Sequence, residues 1–241
     1  MLRVHSIETF GTQDGPGIRM VIFLQGCNMR CLYCHNPDLL ARKGGTLTKR
    51  KELLAIVEKE KEYFGNNGGV TISGGEPTLQ TKSLNKLFRE LNKRKIHTAL
   101  DTNGLIVSDE VKKLYQKTDL LILDVKHIDD EWHKKMTGVS NKNVLEMAEF
   151  REKSGKPMWL RYVLVPGWND SEDFLIRWGE YFKNYKNIER VEILPYHTLG
   201  VYKYKELGME YLLEGVSSPD KKTILKAENI FKKYFKNVIV K

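Results

Sequence analysis

The chain has 241 residues, of which 41% are hydrophobic, and its 40 lysines and arginines exceed its 31 acidic residues to give a net charge of +9. This length holds one large α/β domain or two small ones, and no apolar run exceeds five residues, which excludes a transmembrane helix. The first residues lack the apolar core of a signal peptide, so we expect a cytoplasmic protein, and its dispersed lysines favour a solvated surface or a protein partner over nucleic acid.

Six short apolar runs alternate with helical patterns along the chain. Runs that are apolar on both faces are typical of a buried parallel sheet, and here they are Met20–Leu24, Val70–Ile72, Ile96–Leu100, Leu120–Leu123, Trp159–Val165 and Val191–Leu194. Because a β-α unit repeats about six times without a linker, we predict an α/β protein with a partial (β/α)6 barrel, built as a single domain over residues 1–241.

Four stretches between and after these runs carry apolar residues at helical spacing, which predicts helices that bury one face. Their core residues are Leu53, Ile56, Val57 and Phe64; Leu84, Leu87, Phe88 and Leu91; Phe174, Trp178, Tyr181 and Phe182; and Ile224, Ala227, Phe231 and Tyr234. Ser108 and Asp170 are predicted to be helix N-caps.

The polar and glycine-rich motifs follow the predicted strands or precede the first one. The segment from Gly11 to Arg19 holds three glycines and one proline, so it must leave regular structure. Its Asp14 could accept hydrogen bonds from an extended peptide, or the segment could be a rigid surface turn.

All three cysteines of the chain, Cys27, Cys31 and Cys34, follow the first predicted strand at C-x3-C-x2-C spacing. Three thiolates can hold three irons of a 4Fe–4S cluster, whereas a closed site takes four cysteines. One iron would therefore keep an open coordination position. The alternative is a structural zinc site with His35 as the fourth ligand.

Gly74, Gly75 and Glu76 follow the second predicted strand. Glycines let backbone approach a ligand closely, so backbone carbonyls and Glu76 could hold a free α-amino group. A tight turn from strand to helix is the alternative.

Asp101 and Asp124 end the third and fourth predicted strands. Two neighbouring carboxylates repel each other unless a cation lies between them, and either a bound metal ion or Lys126 could supply that charge. Hard oxygen ligands suit sodium, potassium or magnesium. Capping of the following helices is the alternative role.

Arg161 lies inside an otherwise apolar predicted strand, where a buried arginine needs an anionic partner. A ligand carboxylate or an internal aspartate would serve. His197 follows the sixth predicted strand, where it could contact a ligand or be structural.

In these residues the chain resembles the radical S-adenosylmethionine (SAM) enzymes and, within them, the glycyl-radical-enzyme activases. The resemblance rests on the cysteine spacing and on Gly74-Gly75-Glu76. It extends over nearly the whole chain through the segments 11–19, 31–36, 100–104, 123–126, 161–162, 165–168 and 194–197.

The resemblance implies an iron–sulfur oxidoreductase with the partial barrel of the radical SAM type. Its 4Fe–4S cluster would be held by Cys27, Cys31 and Cys34. Its SAM would contact Tyr33, Cys34, His35, Gly74, Gly75, Glu76, Asp124, Val125, Lys126, Arg161 and His197. A monovalent cation, sodium or potassium, would be held by Asp101, Thr102, the backbone of Ile122, and Asp124. The catalytic residues would be Lys126, His197 and Asp14, the last positioning the substrate peptide.

The resemblance also implies partners: a glycyl-radical enzyme as the protein substrate, and flavodoxin or ferredoxin as the electron donor of a monomeric activase. Only the segment from Pro37 to Thr48 separates the cysteine loop from the next helix, and no further cysteine exists for an internal electron relay. Two alternatives stay open at this point. One is a radical enzyme acting on a small molecule, and the other is a zinc- or cluster-binding module.

Overall fold

The computed structural model describes all 241 residues and contains nine strands. They are β1 (Leu2–Gly11), β2 (Arg19–Leu24), β3 (Thr46–Thr48), β4 (Gly69–Gly74), β5 (Thr98–Thr102), β6 (Leu120–Asp124), β7 (Met158–Leu164), β8 (Ile188–Pro195) and β9 (Val238–Val240). They form one sheet in the order β3-β1-β2-β4-β5-β6-β7-β8-β9. Strands β2 and β4 to β8 overlap the six predicted runs, which confirms the predicted α/β class with an open, mostly parallel sheet.

Eight helices connect or follow these strands. They are α1 (Arg50–Glu60), α2 (Thr81–Lys93), α3 (Asp109–Lys117), α4 (Asp130–Thr137), α5 (Lys142–Lys153), α6 (Glu172–Phe182), α7 (Val201–Glu206) and α8 (Lys221–Lys232). None has the length and apolar character that crossing a membrane would require. The four predicted helical stripes lie chiefly on α1, α2, α6 and α8.

The chain packs as two compact units, and the prediction of a single domain stays a prediction. The first unit comprises Met1–Asn28 and Leu39–Ile122. In it, β1 is antiparallel to both β2 and β3, whereas β4 is parallel to both β2 and β5. The apolar stripe of α2 is fully buried, as predicted.

The second unit comprises Met29–Asp38 and Leu123–Lys241. Its strand β8 is parallel to both β7 and β9. Trp178 on α6 is the centre of an aromatic core and packs 5.6 Å from Tyr162 and 4.8 Å from Phe231, measured between ring centroids. The predicted core position of Tyr181 is wrong: its side chain is 40% exposed, because a tyrosine can leave its hydroxyl end in water.

One of the two predicted N-caps is confirmed and the other is wrong. The Ser108 hydroxyl accepts the backbone N–H of Val111 and so caps α3. The cap of α6 is Ser171 rather than Asp170. Asp170 instead accepts the backbone N–H of Gly167 at 2.8 Å, which closes the turn that precedes the helix.

Candidate functional site

The segment between β1 and β2 is anchored by Arg19, which is completely buried. Its guanidinium donates to Thr71 Oγ1 at 2.5 Å and to the Val70 carbonyl at 2.9 Å, and Thr71 in turn donates to the Asp14 carbonyl. Burial lowers the pKa of Arg19 to about 10. A Cβ on Gly15 would lie 2.8 Å from Arg19 Cδ. The segment is therefore fixed to the sheet, as a rigid turn would be, and the contact of Asp14 with a peptide stays a prediction.

None of the three cysteines of the cysteine loop is in a disulfide, and each is half-buried. In the first unit, the Cys27 amide donates to the Leu40 carbonyl at 3.3 Å. In the second unit, Arg30 and Leu32 donate their amides to Thr137 and Met136 at the end of α4, both at 2.9 Å. Backbone hydrogen bonds on both sides of the cysteines thus hold the loop.

His35 contacts His197 through both its ring face and its Nε2. Its Nε2 donates to the His197 carbonyl at 2.8 Å, and the two imidazoles stack with centroids 3.9 Å apart. Burial lowers the pKa of His35. A metal-bound histidine also donates its second ring N–H to such an acceptor, so this hydrogen bond is compatible with either a zinc site or a cluster.

The donor set around the cysteines fits an iron–sulfur cluster. Three thiols with no fourth cysteine match a cluster with one open iron. The side-chain amide of Asn103 points its Nδ2 at Cys27 Sγ, 3.9 Å away. An N–H donor facing sulfur is typical of the surroundings of cluster thiolates.

Gly74 and Gly75 lie where backbone passes close to backbone. A Cβ on Gly74, whose φ is +126°, would lie 2.2 Å from the Leu24 amide, and one on Gly75 would lie 2.2 Å from the Gly26 carbonyl. Gly75 donates its amide to the Leu24 carbonyl at 2.9 Å, and Glu76 donates to the Gly26 carbonyl at 2.7 Å. These glycines let the end of β4 pack against the start of the cysteine loop.

Glu76 is completely buried, and its carboxylate accepts hydrogen bonds from neighbouring residues. Its Oε1 accepts the Thr78 amide, the Thr78 hydroxyl and the Thr102 hydroxyl at 2.8, 2.5 and 2.8 Å, and its Oε2 accepts the Asn103 amide at 2.8 Å. Burial raises the pKa of Glu76 despite these donors. Four donors match the acceptor capacity of a carboxylate, so the predicted contact with an α-amino group stays a prediction.

Neither aspartate at the strand ends caps a helix. Asp101 Oδ2 accepts the Ser73 hydroxyl at 2.8 Å, and Ser108 caps the next helix. Asp124 Oδ2 lies 2.6 Å from the ammonium of Lys126, and Asp129 caps α4. The structure thus pairs Asp124 with Lys126, and the bound metal ion stays a prediction.

Lys126 is buried next to Tyr33. Its Nζ lies 5.8 Å from the centre of the Tyr33 ring. Burial alone would lower the pKa of Lys126, but the adjacent Asp124 charge dominates and raises it well above its usual value. Burial raises the pKa of the Tyr33 hydroxyl. Val125, which lies between Asp124 and Lys126 in the sequence, is buried and donates its amide to the Arg161 carbonyl at 3.2 Å.

The anionic partner of Arg161 is Glu192, on the adjacent strand β8. Arg161 Nε donates to Glu192 Oε2 at 2.8 Å, while Lys241 Nζ and Arg190 lie 2.8 and 3.7 Å from Oε1. Glu192 is completely buried. The sequence analysis missed this glutamate, although a charged residue inside the apolar run Val191–Leu194 was a visible signal.

The segment after β8 packs on the end of the cysteine loop. Tyr204 donates its hydroxyl to the Cys34 carbonyl at 3.0 Å, and Lys203 donates to Asn36 at 2.9 Å and lies 3.2 Å from Asp38. A Cβ on Gly200 would lie 2.8 Å from the His35 backbone. This support by α7 had no sequence signal that linked it to the cysteines.

Two groups of predicted site residues are brought together. In the first unit, Cys27, Gly74, Gly75, Glu76, Asp101 and Thr102 lie in one region that also contains Asn103. In the second unit, His35 contacts His197, and Asp124 contacts Lys126 beside Tyr33. Arg161 is paired with Glu192.

Comparison with known proteins assigns this arrangement to a family. The sequence model of the Radical SAM superfamily matches residues 21–179. The chain is 47% identical over 235 residues to the pyruvate formate-lyase-activating enzyme of Streptococcus mutans, covering 94% of this chain and 89% of the relative. It is 43% identical to pyruvate formate-lyase 1-activating enzyme of Escherichia coli K12, covering 96% of both chains.

A solved structure shares the fold at much lower identity. The Streptococcus suis protein SuiB, bound to its precursor peptide SuiA, superimposes with a TM-score of 0.70 at 19% identity. The match covers 92% of this chain and 48% of SuiB. It supports the predicted partial-barrel fold.

Proposed function

Since this chain belongs to the radical SAM superfamily, we propose that it is an enzyme that activates pyruvate formate-lyase under anaerobic conditions by generating a glycyl radical on it. The observation that carries the proposal is the 43–47% identity to activating enzymes over nearly the full length of both chains. A radical enzyme for small molecules and a passive zinc-binding module lack that support.

Cys27, Cys31 and Cys34 hold the 4Fe–4S cluster in this proposal. With a 4Fe–4S cluster held by these cysteines and reduced by an external one-electron donor, the site would supply reductive cleavage of SAM to methionine and a 5′-deoxyadenosyl radical, which would remove one hydrogen atom from a glycine Cα of the lyase. Because only three thiols are available, the cluster would keep one coordination position for SAM. The protein contributes binding, orientation and exclusion of water.

The residues proposed to hold SAM come from the strand ends and from the cysteine loop. His35 and His197 form a stacked pair that offers a flat ring face, as an adenine would need. The carbonyls around Gly74 and Gly75 are proposed to accept the methionine ammonium, with Glu76 fixing this part of the site. Further proposed contacts are Tyr33, Cys34, Asp124, Val125, Lys126 and Arg161.

Lys126 and His197 are proposed as catalytic residues beside the sulfonium. Lys126 is held by Asp124 at 2.6 Å, so its position is fixed before SAM binds. A monovalent cation is proposed on Asp101, Thr102, the Ile122 backbone and Asp124, because oxygen ligands suit sodium or potassium. Within this set, Asp124 carries a lysine partner that the cation would have to share.

The lyase is proposed to present an extended loop to the segment around Asp14. Arg19 and Thr71 fix the backbone of that segment, which supports a preformed surface for a peptide. The electron donor is proposed to be flavodoxin or ferredoxin, since the chain has no cysteines for an internal relay. We further propose a monomer in the cytoplasm, the compartment that keeps thiols reduced.

The test is anaerobic electron paramagnetic resonance of the reconstituted protein with reductant, SAM and pyruvate formate-lyase. A glycine-centred doublet on the lyase, together with 5′-deoxyadenosine, is expected from the native chain and absent from Cys31→Ala. SAM cleavage without the doublet would retain radical SAM chemistry but contradict the proposed substrate. No cleavage by an intact reduced cluster would refute the activity.

A further inference from the structure

We propose that the Asn103 side chain donates an N–H···S hydrogen bond to Cys27 and thereby raises the reduction potential of the cluster. The inference rests on the proposed function, because it requires Cys27 to be a cluster ligand. It assigns Asn103 as a positioning residue that acts through the Cys27 sulfur.

The geometry directs the amide donor of Asn103 at the sulfur. Asn103 Oδ1 accepts the backbone N–H of Leu105 at 3.0 Å, and a backbone amide can only donate. That contact fixes the orientation of the carboxamide and leaves Nδ2 on the opposite side. There, Nδ2 lies 2.9 Å from Asn28 Oδ1 and 3.9 Å from Cys27 Sγ, so its two hydrogens have two acceptors.

Glu76 ties the donor and the acceptor to one another. Its carboxylate accepts the backbone amide of Asn103 at 2.8 Å, and its own backbone amide donates to the Gly26 carbonyl at 2.7 Å, one residue before Cys27. Asn103 is 6% exposed and Glu76 is fully buried. The amide donor thus lies in a buried polar network, where its dipole acts more strongly than in water.

The sign of the effect follows from charge. Reduction adds one negative charge to a cluster that already bears thiolates, and an N–H dipole aimed at sulfur stabilises the more negative state. Hydrogen bonds to the sulfurs are among the factors that set cluster potentials. Removing the Asn103 donor should therefore make the cluster harder to reduce. We expect about a tenfold change in the reduction equilibrium, which corresponds to about 59 mV for one electron.

The experiment is an anaerobic redox titration of the reconstituted holoenzyme without SAM or lyase. The fraction of reduced cluster is monitored by its electron paramagnetic resonance signal. Asn103→Leu removes the donor at similar volume. Asn85→Leu is the matched control, because Asn85 is also a buried amide of the first unit but donates to the Glu110 carbonyl at the start of α3 rather than to a sulfur. The potential should fall in Asn103→Leu and stay at the native value in Asn85→Leu.

A second variant keeps the test decisive if Asn103→Leu assembles no cluster. Asn103→Asp retains the acceptor for Leu105 but presents a carboxylate to the sulfur, so its potential should fall further. The inference would be overturned if the variant that holds a full cluster had a reduction equilibrium within twofold of the native one. That outcome differs from failure of the proposed function, in which the native protein itself would bind no cluster or leave SAM uncleaved.

Discussion

The buried ion pair between Arg161 and Glu192 provides the sharpest test of how the second unit is stabilised. Glu192 has no exposed surface, and its carboxylate faces Arg161 at 2.8 Å, Lys241 at 2.8 Å and Arg190 at 3.7 Å. Glu192→Gln keeps the volume but removes the charge. Breaking a buried pair by removing one partner costs about 3–5 kcal/mol, because the other charge is left uncompensated.

Two details place the expected loss near the lower end of that range. Glutamine keeps one oxygen that can still accept from Arg161, and Lys241 and Arg190 are partly exposed, so water can solvate them. We expect a loss of about 3 kcal/mol in the free energy of unfolding. With a urea dependence of about 3 kcal/mol per molar, the midpoint should fall by about 1 M.

The assay is urea unfolding monitored by tryptophan fluorescence. Trp159 should contribute to the signal, because unfolding removes the Arg190 guanidinium that lies 3.9 Å from the centre of its ring. The control is Glu149→Gln, which removes an exposed ion pair with Lys153 and should change stability by less than about 1 kcal/mol. The double variant Arg161→Met with Glu192→Leu should recover most of the loss. If Glu192→Gln shifted the midpoint no more than the control does, the uncompensated-charge argument would be wrong.

Four further predictions concern the cysteine loop, a buried histidine and a helix cap. Gly75→Ala places a Cβ 2.2 Å from the Gly26 carbonyl, so we expect at least a twofold drop in iron bound per chain after reconstitution; native iron content would contradict this. Cys31→Ala should leave a folded protein, by circular dichroism, that forms no 5′-deoxyadenosine, and retained activity would refute the cluster assignment. Burial lowers the pKa of His127 to about 4, so the folded state favours the neutral imidazole. The stability that this preference contributes is fully present above pH 6.5 and is lost as the pH falls from about 6.5 towards 4, because the unfolded chain then binds the proton first. His127→Asn should therefore lose less urea stability than the native chain between pH 7 and pH 5, whereas equal losses would argue against it. Ser171→Ala should lower the free energy of unfolding by about 1 kcal/mol, measured by thermal or urea unfolding, because the hydroxyl that caps α6 is lost. An unchanged free energy would contradict that capping assignment.

The sequence determined the strands that are buried on both faces. Their apolar runs alternate with helical patterns and each ends at a polar motif, and this combination indicates strands. It did not reveal β1, whose burial follows no regular alternation, or β3 and β9, which have only three residues each. Such strands are specified by their neighbours, because local composition carries little of their pairing energy.

The sequence also determined the chemistry, because the spacing of three cysteines and the Gly-Gly-Glu motif is a local property. Only the tertiary structure decided the partners of the charged residues. Glu76 turned out to be saturated by Thr78, Thr102 and Asn103, and Arg161 to be paired with a glutamate thirty-one positions away. Which donor meets which acceptor depends on register and on the close approach of distant segments. Those are set by packing of the whole sheet, and no pattern in a single stretch of sequence carries them.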